Sequence, residues 1–279
     1  MERENLKGRI DWITTLIPFV IVLAMMLVFM LIPSQSKLFV DTLRGFFGDT
    51  IGIYYVILGL GCVLLSLYLA FKDKYGQIKL GNIDKPVYSN FAWGTMIFTS
   101  TMAADIMFYS LIEWALYGAE PHVAELGKMQ LWAPTFPLFH WGPLAWGFYV
   151  VLAISFAFMM HVRKRERQRF SEAVRPLIGD RVDGPWGKVI DIVAVFAMVC
   201  ATATTFSLAT PLLASALASV FGISTSVMLT IGILLLICAV YTITVLLGMN
   251  GISKLASSCS YMFFAILFYF LFLCGETRY

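Results

Sequence analysis

Charge is what this sequence has least of. Of 279 residues, 20 are Lys or Arg and 17 are Asp or Glu, 13% in all, about half the share of an ordinary soluble domain. The shortage is uneven. Ile13–Ser36, Thr50–Phe71 and Gln130–Val162 carry no charged side chain, and Ile192–Ser253 runs for 62 residues without Asp, Glu, Lys or Arg. A soluble globular fold is excluded by that distribution. The three histidines, His122, His140 and His161, are scattered and supply neither a metal-ligand cluster nor a base beside a nucleophile, so an enzyme site is not expected. The five cysteines, Cys62, Cys200, Cys238, Cys259 and Cys274, lie in apolar stretches without C-x-x-C spacing, which argues for small buried hydrophobes over metal or disulfide chemistry. Gly179, Gly184 and Gly187 lack the spacing of a phosphate loop, which excludes nucleotide binding by that motif. The lead "MERENLKGRIDW" is followed by a run too long for a signal-peptide core and without a small-residue cleavage site, so no cleaved signal is expected.

What is present is hydrocarbon. Hydrophobic residues make up 59% of the chain and the mean hydropathy is +0.81. Each uncharged run reaches the ~20 residues that cross a bilayer as a helix. The fold class expected is an all-α, polytopic membrane protein with seven spans near 12–33, 50–71, 88–117, 138–161, 189–220, 226–247 and 255–274. With a cytoplasmic N-terminus, 16 of the 20 basic residues fall on the inside, eight of them in 163–188; Lys37, Arg44, Lys128 and Arg278 fall outside. The positive-inside rule therefore places the N-terminus in the cytoplasm and the seventh span's end outside. The run "RKRERQRF" (163–170) reads as membrane anchoring at that inner face rather than as a nucleic-acid contact. The segment after it reads as a short interfacial helix and a tight return into span 5.

Three stretches carry candidate chemistry. "STMAADIMFYSLIEW" (100–114) holds Asp105 near the middle of span 3 and Glu113 two turns further on. A carboxylate at that depth costs ~3 kcal/mol on insertion scales. No span holds a Lys or Arg to neutralise Asp105, so it is protonated or faces water, an ion or a cationic substrate; Glu113 suits capping or pairing nearer the surface. "FHWGPLAWGFY" (139–149) opens span 4, with Gly142-Pro143 at a helix start. If one helix already includes Trp141, then Trp141, Tyr149 and Trp146 form a single aromatic arc. Such an arc is either an ordinary interfacial belt or a set of π faces for a quaternary ammonium group. His140 is read as a structural histidine. In "CATATTFSLATP" (200–211), Thr202, Thr204, Thr205, Ser207 and Thr210 line an ion path or bond back to their own helix.

From span 2 to span 7 the chain resembles the betaine/choline/carnitine transporter (BCCT) family. The resemblance is strongest in "FHWGPLAWGFY", in "RPLIGDRVDGPWGKVIDI" (175–192) and in "GMNGISKLASSCSYMF" (248–263); the W-x4-W-x2-Y spacing of Trp141, Trp146 and Tyr149 matches the family's aromatic cluster in span 4. It implies an ion-coupled secondary transporter of trimethylammonium compounds with inverted five-helix repeats. On that pattern residues 1–87 are a tail and two leading helices, and 88–279 the first repeat of a LeuT-like inverted-repeat bundle. Its second repeat is absent from a chain of seven spans where the family has twelve, so the sequence is expected to be the N-terminal part of a longer protein. The implied substrate-binding residues are Trp141, Trp146, Tyr149, Met102 and Asp105; the ion-coupling candidates are Asp105, Thr99, Thr202 and Thr205. Asp105 becomes a counter-charge for a cation, a proton site, or both. The glycines usual in span 3 are missing and Trp114 stands where Pro is usual, which leaves sodium and proton coupling both open. Choline, glycine betaine and carnitine also stay open. No cofactor beyond a coupling Na⁺ or H⁺ is expected; a homotrimer in the plasma membrane is implied by the resemblance alone. The competing readings are another seven-helix protein, a channel or intramembrane enzyme, and a nonfunctional fragment.

Overall fold

The computed structural model describes residues 11–81, 85–101 and 103–272; the side chains of Ser100, Thr101, residues 103–108, Ser110, Leu111, His140 and Phe270 lie outside that description. The described residues form helices and turns without a strand. In chain order these are α1 (Trp12–Leu31), α2 (Pro33–Gly45) with a π turn (Phe46–Thr50), α3 (Gly52–Phe71), α4 (Asp73–Gly76), α5 (Asn90–Thr101) and α6 (Ala103–Gly118). Next come α7 (Pro121–Leu126), α8 (Met129–His140), α9 (Pro143–Ala157) with a π turn (Phe158–Val162), and α10 (Phe170–Ile178) with a 3₁₀ turn (Gly179–Asp183). The chain closes on α11 (Pro185–Phe221), α12 (Val227–Leu246) and α13 (Gly248–Phe272). The all-α membrane architecture read from the sequence is the one observed. Six helical stretches among the described residues are long and apolar enough to cross a membrane, and most of their large aliphatic and aromatic side chains are exposed. A surface of that kind suits lipid, where each backbone group must be satisfied within its own helix.

Local chemistry fixes the helix ends. Asp11 caps α1 by accepting the Thr14 N–H at 3.3 Å, and the Ser226 hydroxyl caps α12 by accepting the Leu229 N–H at 3.1 Å. Pro33, Pro121 and Pro143 occupy first turns, where the missing N–H costs nothing. Between α12 and α13 the chain turns on Gly248, at φ +67°.

The chain divides into two compact units, Met1–Ile83 with Trp114–Thr202, and Asp84–Glu113 with Ala203–Tyr279. In the first, α3 and α9 run side by side in the same direction. Gly59 lies against Leu144 and Phe148, Gly147 lies against Val63, and the last turns of both helices line one cavity. The ends of α3 and α9 that lead into the basic segments 72–85 and 163–188 therefore share one side. At 12 residues α8 is about 18 Å long, short of the ~30 Å hydrocarbon core. The stretch expected as a span at 88–117 is described as α5 and α6 on either side of residue 102, and neither is among the six long apolar stretches. In the second unit α5 packs on α13 through ring contacts, Phe91 to Tyr261 at 5.0 Å and Phe98 to Phe263 at 5.5 Å.

Candidate functional site

The aromatic stretch of span 4 is built around a break. Helix α8 ends at His140, the Trp141 N–H still donates to the Pro137 carbonyl at 2.9 Å, and α9 begins afresh at Pro143. Gly142 makes the break possible, because a side chain there would sit 2.0 Å from the Leu138 carbonyl oxygen. Trp141 is thus the last residue of the α8 arm. The expectation of one helical arc through Trp141, Trp146 and Tyr149 is corrected accordingly: only Trp146 and Tyr149 share α9.

Those two rings meet. One helical turn apart, they stand edge to face at 5.8 Å between centroids and 78° between planes, the favoured geometry of an aromatic pair. Trp146 is half-buried and Tyr149 is 37% exposed. Between them in sequence, on another face, Gly147 brings the backbone of α9 onto α3: a Cβ there would lie 2.7 Å from Val63 Cγ2 and 2.9 Å from Val63 N. The helix that carries the ring pair is therefore seated by a backbone-to-backbone approach that only glycine permits. A cation is drawn to the face of a tryptophan or tyrosine ring by about 0.5–2 kcal/mol.

The remaining candidates are distributed as follows. Asp105 belongs to α6 in the second unit, with its side chain outside the described set; Met102 lies outside the described residues. Glu113, further along α6, is buried at 5% exposure. Thr99 on α5 donates to the Thr95 carbonyl at 2.8 Å. Its hydroxyl proton is spent on its own helix, while its oxygen can still accept or coordinate. Thr202, in the first unit, donates to the Met198 carbonyl at 2.8 Å and is exposed; Thr205 lies in the second unit's share of α11 and is half-buried. The ring pair and the α5–α6 residues thus fall in different units.

Two polar arrangements went unnoticed in the sequence. In the second unit, buried Thr95 of α5 meets Ser257 of α13, hydroxyl to hydroxyl at 3.4 Å. In the first, α10 is held by charges on both flanks. The buried Asp191 carboxylate of α11 accepts the Ser171 N–H at 2.8 Å and the Ser171 hydroxyl at 2.9 Å. Buried Glu172 accepts from Arg175 at 2.7 and 2.8 Å and from Arg165 at 3.2 Å, and Arg175 reaches on to Asp183 at 3.0 Å. The hydrogen bonds from Arg175, with those from Arg165, hold the Glu172 carboxyl below the usual carboxylate range, and Arg175 does the same to Asp183. The Glu172 and Asp183 carboxylates in turn push the Arg175 guanidinium above its ordinary value. The i,i+3 pairing of Glu172 with Arg175 was the available signal; the reach of Asp191 back across twenty residues left none.

Comparison with known proteins gives these features a frame. The model of the betaine/carnitine/choline family of transporters (BCCT) matches residues 13–279. The chain belongs to this family. Among similar BCCT proteins, a probable glycine betaine transporter of Desulfitobacterium hafniense (strain Y51) is 32% identical over 205 residues, 71% of this chain and 41% of its own length. A glycine betaine transporter of Bacillus subtilis (strain 168) is 28% identical over 249 residues, 88% of this chain and 48% of its own. One of Acinetobacter baylyi (strain ATCC 33305 / BD413 / ADP1) is 28% identical over 251 residues, 88% and 37%. This BCCT chain therefore spans under half the length of the curated relatives it matches.

Proposed function

We propose that the protein containing this chain carries quaternary trimethylammonium compounds across the membrane, and that glycine betaine, choline or carnitine is its substrate. The observation that carries the reading is the family match over nearly the whole chain, in which the Trp146–Tyr149 pair falls within the W-x4-W-x2-Y stretch. A trimethylammonium group has no N–H to donate, so π faces are its natural partners. The names of the relatives favour glycine betaine, while an ionised Asp105 favours the net cation choline.

On this reading residues 1–87 are a leading tail and two helices, and 88–279 are one five-helix repeat that works against a second. Transport is coupled to Na⁺ or H⁺, with Asp105, Thr99, Thr202 and Thr205 as the groups near the coupling ion and Met102 beside the substrate. The N-terminus is cytoplasmic by the excess of Lys and Arg on that side, the membrane is the plasma membrane, and the assembly is a homotrimer by family likeness. The test is uptake of labelled glycine betaine, choline and carnitine by cells without such carriers of their own, expressing the complete protein. Saturable uptake of at least one, abolished on dissipating the Na⁺ or H⁺ gradient, is expected. No uptake of any of the three by a correctly inserted protein would overturn the proposal.

A further inference from the structure

Where α3 and α9 reach their basic end, α10 roofs a cavity of about 590 Å³, lined by Ser66, Ala70, Ile154, Phe158, Ala173 and Pro176 among others. That is the size of pockets that take drug-sized ligands. Its walls are mainly apolar. The Ser66 hydroxyl donates to the Cys62 carbonyl at 2.7 Å and that of Ser155 to the Val151 carbonyl at 2.9 Å, so both are spent on their own helices. The space suits hydrocarbon.

Beside one wall the chemistry reverses. The Arg163 guanidinium lies over the ring of Phe158, 5.7 Å from the centroid, and Phe158 is itself a wall of the cavity. Lys164 follows at φ +54°, in the left-handed region. Further along the run, Arg165 is paired with Glu172, Arg167 with Asp183 and Arg169 with Asp11. Arg163 and Lys164 have no carboxylate partner among the described residues. Arg163, stacked on a wall of the apolar chamber, and its neighbour Lys164 are thus two cations outside the ion pairs of this segment. We infer that this is a binding site for one anionic phospholipid, an acyl chain in the cavity and the headgroup phosphate on Arg163 and Lys164. A zwitterionic lipid would offer the same tail without the net charge, and a free phosphate would leave the cavity unused. Basic pockets between membrane helices select anionic headgroups in this way.

The experiment is native mass spectrometry of the complete protein in mild detergent, titrated with phosphatidylglycerol or phosphatidylcholine of identical acyl chains. Phosphatidylglycerol should bind at least tenfold more tightly. The double variant Arg163→Ala/Lys164→Ala should bring it to the phosphatidylcholine level, and Ala173→Phe, which fills the cavity from α10, should weaken both lipids. Arg167→Ala, which removes a cation already paired with Asp183, should change binding by less than twofold. If Ala173→Phe does not elute as a single species, Ala157→Leu fills the same space from α9. Equal retention of the two lipids, as when another part of the protein covers the cavity, would overturn the inference. So would a preference that survives the double variant, or binding indifferent to both cavity-filling variants. The readout is lipid retention, so its outcome is independent of whether uptake is observed.

Discussion

Replacing Gly147 with alanine perturbs the seat of the ring pair without touching either ring. The added methyl would stand 2.7 Å from Val63 Cγ2, 2.9 Å from Val63 N and 3.2 Å from Val63 Cα, where ordinary contact begins at 3.4 Å. Helix α9 must therefore withdraw from α3 by about 0.7 Å, or the side chain of Val63 must move and the backbone contacts remain. Overpacking of this kind costs about 1–3 kcal/mol, and the better helix propensity of alanine offsets about 1 kcal/mol of it. A net loss of up to about 2 kcal/mol is expected, read as a lowered thermal midpoint of the complete protein in detergent. Because Trp146 and Tyr149 flank position 147, the half-saturation for a trimethylammonium substrate should rise as well. Val63→Ala removes Cγ2 but leaves the backbone N and Cα in place, so it should restore Gly147→Ala only partly, with a coupling of at least about 0.5 kcal/mol between the two sites. A Gly147→Ala protein with unchanged midpoint and unchanged half-saturation would refute the close-approach argument.

Trp146→Ala should weaken substrate binding more than Trp146→Phe, because the aromatic face is what an ammonium group meets; equal losses in uptake titrations would point to packing. Asp105→Asn keeps shape and removes charge, so choline binding should weaken by about tenfold, about 1.4 kcal/mol, and a zwitterion should suffer less; choline uptake that is unaltered in strength and pH dependence would sink the counter-charge role. Glu172→Gln should destabilise the protein at neutral pH. Since the Glu172 carboxyl titrates below its unfolded value of about 4.3, its stabilising effect is present above that value and lost as pH falls through the depressed one. Wild type and variant should therefore converge in thermal midpoint toward strongly acidic pH, and a constant difference down to that range would show that the ion pairing does not act through charge.

Much of the architecture could be read from where charge is missing. Runs such as Thr50–Phe71 became α3 within a residue or two, and the punctuation of 171–188 became α10, a 3₁₀ turn and the start of α11. The failures have physical causes. Residues 129–140 carry Pro134 and Pro137, which speak against a helix in isolation, yet they form α8, supported by ring contacts of Phe136 with Tyr117 at 5.4 Å and Trp132 at 6.2 Å. That helix draws Trp141 to its own end and away from α9, which the spacing alone could not reveal. The 13 residues of α2 have too little apolar length to register as a span. The site was legible as residue types: Trp146 and Tyr149 do meet. The seat supplied by Gly147 was not legible, because closeness of two backbones depends on which helix lies opposite.

The tethering of α10 decides where a reporter can be placed. Residues 163–188 have the composition of a connector, and a tag would ordinarily be inserted there. Such an insertion would part Ser171 from Asp191 or Arg175 from Asp183 and unfasten the segment that closes over α3 and α9. The short link after α7 is the better site. Leu126, Gly127 and Lys128 are exposed, Gly127 turns at φ +72°, and nothing lies within 4 Å of where its side chain would be. Exposed turns of this kind tolerate inserted sequence. An epitope between Gly127 and Lys128, stained with antibody on intact and then on permeabilised cells, would report the sidedness of the whole bundle while leaving every described hydrogen bond of α10 in place.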